Sequence, residues 1–92
     1  MRVVISKQSL KFLESQNEKD RKRIIDKIGE LKKSLENNLL IPFKSFDIKK
    51  LEGDWLGYFR LRLGKYRIIF RIVKDELELY IYNIHFRGEI YK

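Results

Sequence analysis

The sequence predicts an α+β fold in which an N-terminal strand, two α-helices and then a three-stranded antiparallel meander are joined, with both helices packed on one face of a single small sheet. Three observations predict it. Ile24, Ile28, Leu31 and Leu35 step by four, three and four, the spacing that keeps one face of a helix buried. Phe59, Leu61 and Leu63, and then Tyr66, Ile68, Phe70 and Ile72, recur at every second position, which is strand periodicity. The chain has 92 residues, so residues 1–92 are read as one domain around one core.

Val3 and Ile5 mark the first strand, and Ser6 follows it as a residue able to cap a helix that runs through Leu10 and Leu13. Asn17 offers a second cap, and Asp20 three positions later resembles a capping box and sets an acid near the positive end of the second helix. Lys22, Arg23, Lys27, Lys32 and Lys33 occupy the remaining surface of that helix and read as a solvated face, with Asp26 and Glu30 relieving some of the repulsion. Gly29 is its weak point. Asn37 and Asn38 end the helix and Pro42 prevents its resumption, so about 37–54 is read as the main connection, held down by Phe43 and Phe46. Gly64-Lys65 supplies the first hairpin turn and Lys74-Asp75-Glu76 the second, leaving a last strand from Leu77 to about His85.

Composition narrows the chemistry. The chain has no cysteine, which excludes disulfides, thiolate catalysis and cysteine-based zinc sites. No apolar run approaches the ~20 residues that span a bilayer, and Met1 to Ser6 lacks the features of a signal peptide, so a cytoplasmic location is expected and no membrane partner. Twenty-one basic against thirteen acidic residues leave a formal charge of +8, which favours polyanionic partners.

The position of the charges is more telling than their sum. Tyr58, Arg60 and Arg62 alternate along one strand, and Arg67 and Arg71 take the same parity on its neighbour, so guanidinium groups converge on the face that two helices cannot cover. Like charges opposed across strands are destabilising, and their collection points to an anionic ligand, with guanidinium forks matched to phosphate. The plainer alternative is an ordinary exposed sheet face, in which Arg71 simply pairs with Glu76 or Glu78. Tyr58, Tyr80, Tyr82 and Tyr91 are the aromatics able to stack on unpaired bases, although such residues also serve as strand-pairing or core residues.

Lys50-Leu51-Glu52-Gly53, then Tyr58-Phe59-Arg60-Leu61-Arg62-Leu63-Gly64-Lys65-Tyr66-Arg67-Ile68-Ile69-Phe70, then Arg87-Gly88-Glu89-Ile90-Tyr91-Lys92 resembles the RelE side of the RelE/ParE toxin superfamily. The helix, helix, strand order extends the resemblance over essentially the whole chain. It implies the toxin of a type II toxin–antitoxin pair, a ribosome-dependent messenger-RNA interferase that cuts in the ribosomal A site through attack of a ribose 2′-hydroxyl on its own phosphate. It implies no metal or cofactor. The implied partners are a RelB-like antitoxin in a hetero-oligomer, the ribosome and messenger RNA. By position, Arg60, Arg67 and Arg87 match the family's phosphate and transition-state residues, Arg62 a further basic strand position and Tyr91 the terminal aromatic site, while Lys50, Lys65, His85 and Tyr58 are the residues expected to touch RNA.

Arginine does not lose its proton near neutral pH, so such residues stabilise developing charge and do not abstract protons. His85 is the only histidine, which rules out a two-histidine ribonuclease mechanism and leaves His85, Tyr91, Glu52 and Asp54 as candidates for the base. Two rivals share the features so far: a ParE-like DNA gyrase inhibitor, which the resemblance implies would lack the arginine and tyrosine set, and a non-catalytic RNA-binding module that uses the same basic sheet.

Overall fold

The computed structural model describes residues 1–38 and 40–88. Strand β1 (Arg2–Ile5) leads into helix α1 (Lys7–Ser15) and helix α2 (Glu18–Asn38), followed by β2 (Ile48–Lys50), β3 (Phe59–Leu63), β4 (Tyr66–Val73) and β5 (Glu78–Phe86). The strands form one sheet in the order β1-β5-β4-β3-β2, with β1 parallel to β5 and every other pair antiparallel. Leu13 of α1 and Ile24, Ile28, Leu31 and Leu35 of α2 share one buried cluster with Leu61, Tyr66, Ile68, Phe70, Leu79, Ile81 and Ile84 of the sheet. The α+β class and the two-layer arrangement are those expected from the alternating patterns. Among the described residues no helix is long and apolar enough to cross a membrane.

One strand departs from the expectation. The connection contains β2, whose register is Ile48↔Leu61, Lys49↔Arg60 and Lys50↔Phe59, so the antiparallel part has four strands instead of three. Three residues with a single buried member, Ile48, are too few to show a period of two. The same strand supplies an edge beside Arg60.

Both helix starts follow from their caps. Ser6 accepts the backbone N–H of Ser9 at 3.2 Å, and Asn17 Oδ1 accepts that of Asp20 at 2.8 Å. The carboxylate of Asp20 does not turn back on its own helix to complete a capping box. It lies 2.6 Å from the hydroxyl of Tyr66, which is also 2.8 Å from Gln16 Oε1. Tyr66 is fully buried, stacked on Phe86 and edge-on to Phe12, so this phenol needs a polar partner inside the core. Burial and then the bond to Asp20 push the phenol up to about 12. The same bond holds the Asp20 carboxyl below its ordinary value, aided by the charges of Lys65 and Arg23 and opposed by partial burial.

Turns behave as expected, and several ion pairs do not. Gly64 has φ +57°, and a side chain there would meet the Arg23 guanidinium, so glycine suits the β3–β4 hairpin twice over. Arg71 does not pair with Glu76 or Glu78, because both carboxylates face Arg2 at 3.8 and 2.8 Å. On α2 the pairs are Lys22 with Asp26 and Lys27 with Glu30, which agrees with a solvated face.

Replacing Tyr66 by Phe removes the hydroxyl that bonds Asp20 and Gln16 and leaves Asp20 with Lys65 alone, an expected loss of about 1–2 kcal/mol. The pH dependence has a definite sign. The phenol's contribution is complete below pH 10 and is lost as pH rises from 10.0 towards about 12, while that of Asp20 is complete above the ordinary carboxylate value and is lost as pH falls through its depressed one. Thermal melts between pH 9 and 12 should therefore fall less steeply for Tyr66→Phe than for the native chain, and parallel slopes would exclude this role for Tyr66.

Candidate nucleic-acid interface

The face of the sheet away from the helices is ordered in rows by strand register. Arg62 lies opposite Arg67, and Arg67 opposite His85, which makes one row across β3, β4 and β5. Arg60, Ile69 and Asn83 make the next. Beyond them Arg71 pairs with Tyr80, and its guanidinium lies 5.5 Å from the ring centres of both Tyr58 and Tyr80. Residues directly opposed have Cβ atoms about 5 Å apart, so Arg62 and Arg67 form a close like-charge pair, with Arg60 diagonal to Arg67 at roughly 7 Å.

A residue with no sequence signal manages this repulsion. Asp47, left-handed at φ +53°, places one carboxylate oxygen 2.5 Å from Arg62 Nε and the other 3.5 Å from an Arg60 terminal nitrogen. Its own carbonyl accepts the Arg62 backbone N–H at 3.1 Å, which ties this turn to β3. Arg67 folds over the hairpin and donates to the carbonyls of Gly64 and Tyr66, each at 2.8 Å. Arg60 is only 18% exposed, and its Nε is buried with no hydrogen-bond partner among the described residues. A buried donor gains from an acceptor, which makes Arg60 a candidate contact for an anion.

The other expected site residues divide between faces. Arg87 is exposed and its backbone N–H bonds to the Lys65 carbonyl at 2.8 Å, which holds it beside the β3–β4 turn, two residues beyond His85 in the arginine row. Tyr58 meets Trp55 and Tyr82 on the arginine face. His85 is on that face but only 5% exposed, and its Nδ1 lies 2.9 Å from the Phe86 carbonyl, which gives that nitrogen the proton and makes Nε2 the basic one. Lys65 leaves the row: its ammonium is 3.7 Å from Asp20 and over the Tyr66 ring, on the helix side. Lys50 pairs with Phe59 on the opposite parity, and it is Lys49 that stands beside Arg60. Tyr91 lies outside the described residues.

A bulge brings further aromatics to this face. The register shifts between Ile69 and Phe70, which pair with Asn83 and Ile81, so Tyr82 is the extra residue of a bulge in β5. Its carbonyl is satisfied instead by Ser6 Oγ at 2.6 Å and Gln8 Nε2 at 2.7 Å, at the start of α1. The short 3-10 turn Gly53–Trp55 carries Trp55 over the sheet, with its ring centre 5.4 Å from those of Tyr58 and Tyr82. A tryptophan in a glycine-flanked loop was the sequence signal for this cluster. Among the described residues no group of three or more His, Asp or Glu side chains comes together to hold a metal ion.

Residues 3–91 match the family described as the ParE toxin of type II toxin-antitoxin system, parDE. A chain of the archaeal RelE–RelB complex from Pyrococcus horikoshii OT3 is 33% identical, with 97% of each chain covered and a TM-score of 0.71. A chain of the RelB–RelE antitoxin–toxin complex from Methanococcus jannaschii is 28% identical over 91% of this chain and 89% of its own, with a TM-score of 0.67. The YoeB/ParE toxin from Agrobacterium tumefaciens shares the fold at 22% identity, with 95% and 99% covered and a TM-score of 0.70. Nothing among curated proteins matches. With a sequence match that runs almost end to end and a close structural relative over the same span, the chain belongs to the ParE toxin family, within the RelE/ParE superfamily of type II toxin–antitoxin toxins.

Proposed function

We propose that residues 1–92 act as one toxin domain that cleaves messenger RNA in the ribosomal A site and is held in check by a RelB-like antitoxin. The observation that carries this reading is the meeting of Arg60, Arg62 and Arg67 on one sheet face, with Arg87 at the same end. In the reaction a ribose 2′-oxygen loses its proton and bonds to the adjacent phosphorus. The bond from phosphorus to the 5′-oxygen of the next nucleotide breaks, that oxygen takes up a proton, and a 2′,3′-cyclic phosphate remains. Guanidinium groups stabilise the charge that builds on the phosphorane and the leaving oxygen. His85 and Tyr91 are the candidate proton carriers, and His85, only 5% exposed, must gain exposure to act.

ParE-like inhibition of DNA gyrase is the second reading, favoured by the family that the sequence matches. The 33% identity to a chain of a RelE–RelB complex and the arginine row favour RNA cleavage. The deciding experiment runs ribosome-programmed messenger-RNA cleavage beside a gyrase supercoiling assay. Cut transcripts with cyclic phosphate ends are expected, and supercoiling inhibition without cleavage would overturn the nuclease reading.

Arg67→Ala and Arg87→Ala should each slow cleavage about 100-fold or more and abolish growth inhibition, with the fold intact by circular dichroism. Unchanged toxicity of Arg87→Ala would remove that residue from the site. Asp47→Asn should act in the opposite direction on binding. By releasing Arg60 and Arg62 from a partly exposed ion pair it should tighten single-stranded RNA up to about five-fold at low salt, measured by fluorescence anisotropy. A weaker complex would mean that Asp47 organises the arginines for RNA instead of competing with it.

A further inference from the structure

The arginine row accounts for a phosphate but leaves the adjoining aromatic surface unused. Trp55, Tyr58, Tyr80 and Tyr82 form a continuous run of rings, with centres 5.4 Å apart for Trp55–Tyr58 and Trp55–Tyr82, 5.5 Å for Tyr58–Tyr82 and 6.4 Å for Tyr80–Tyr82. None of the four is fully buried, and none belongs to the core cluster on the helix side. The exposed Arg71 guanidinium lies between Tyr58 and Tyr80. Tyr80 also borders an open groove of about 390 Å³ lined by Ser6, Lys7, Gln8 and Lys11 at the start of α1.

Resting on the RNA reading above, we infer that this surface is a second substrate subsite, which stacks an unpaired nucleobase on the Trp55–Tyr82–Tyr80 run and leads the adjoining backbone phosphate towards Lys7 and Lys11. Three features point to a base and not to another ligand. The rings present π-faces and edges joined to a cation, the combination that single-stranded nucleic-acid binders use without regard to sequence. Their position is fixed by backbone, because the bulge that delivers Tyr82 is locked by Ser6 and Gln8. Lastly, the row of Arg71 and Tyr80 is four residues along β4 from that of Arg67, about 13 Å, so the stacked base and the phosphate gripped by the arginines belong to different nucleotides. The subsite therefore sets which stretch of strand reaches the arginines.

Trp55 is the only tryptophan, so its emission reports on the subsite alone. The full chain would be titrated with a single-stranded 2′-O-methyl RNA hexamer, which resists cleavage, and in parallel with inorganic polyphosphate, which carries charge but no bases. The hexamer should quench Trp55 saturably, whereas polyphosphate should bind calorimetrically without quenching. Tyr80→Leu should weaken the hexamer about ten-fold while leaving polyphosphate within two-fold, and Tyr80→Phe should retain native affinity, a contrast that separates stacking from simple packing. Equal quenching by polyphosphate, or hexamer affinity indifferent to Tyr80→Leu in a folded variant, would overturn the subsite. Failure of the nuclease reading looks different: quenching and the Tyr80 contrast would persist with no transcript cut, and that result supports the subsite. Cleavage with neither effect would sink the subsite alone.

Discussion

The structure turns on the close approach of Arg62 and Arg67 across the β3–β4 hairpin, with Arg60 on the diagonal. Three guanidiniums on one small patch repel one another, and water screens that repulsion only partly where Arg60 is largely buried. The fold answers with three separate devices. Asp47 bridges two of the arginines, the hairpin carbonyls take the third, and a pair of tyrosines shelters Arg71 nearby. None of these removes the charge. They hold it in place, with the two oxygens of one carboxylate 2.5 Å from Arg62 and 3.5 Å from Arg60.

The helices serve this site indirectly. Their apolar stripes bury the inner face of β3, β4 and β5 and so fix the parity that sends Arg60, Arg62 and Arg67 outward. Tyr66 and Asp20 join the hairpin to the start of α2, and Ser6 and Gln8 join the start of α1 to the bulge in β5. Each helix N-terminus thus anchors a part of the sheet that carries the arginine row or the aromatic cluster. A slip of one residue in either strand would bury arginines against the helices, so register decides which face carries the charge.

The fold is shared by RelE and YoeB/ParE toxins, and for that reason it does not choose a target. A match to the ParE family and 33% identity to a chain of a RelE–RelB complex coexist in one sequence, on one mixed sheet in which only β1 and β5 run parallel.

Much of this was legible along the chain. The stripe from Ile24 to Leu35 and the alternation from Phe59 to Ile72 settled the helix, the strands and the outward parity of the arginines, because burial on one face imposes a period that local sequence must obey. Ser6 and Asn17 marked helix starts because a cap is made within three residues. Only the folded chain decided the rest. Asp47 reaches Arg60 and Arg62 across 13 and 15 positions, β2 exists through pairing with β3 and not through its own composition, and register assigns Lys49 to the arginine face and Lys65 to Asp20. The bulge at Tyr82 depends on β4 and on α1 together. Periodic burial is written in neighbouring residues, whereas charge pairing and strand register arise between segments far apart in sequence and leave no local trace.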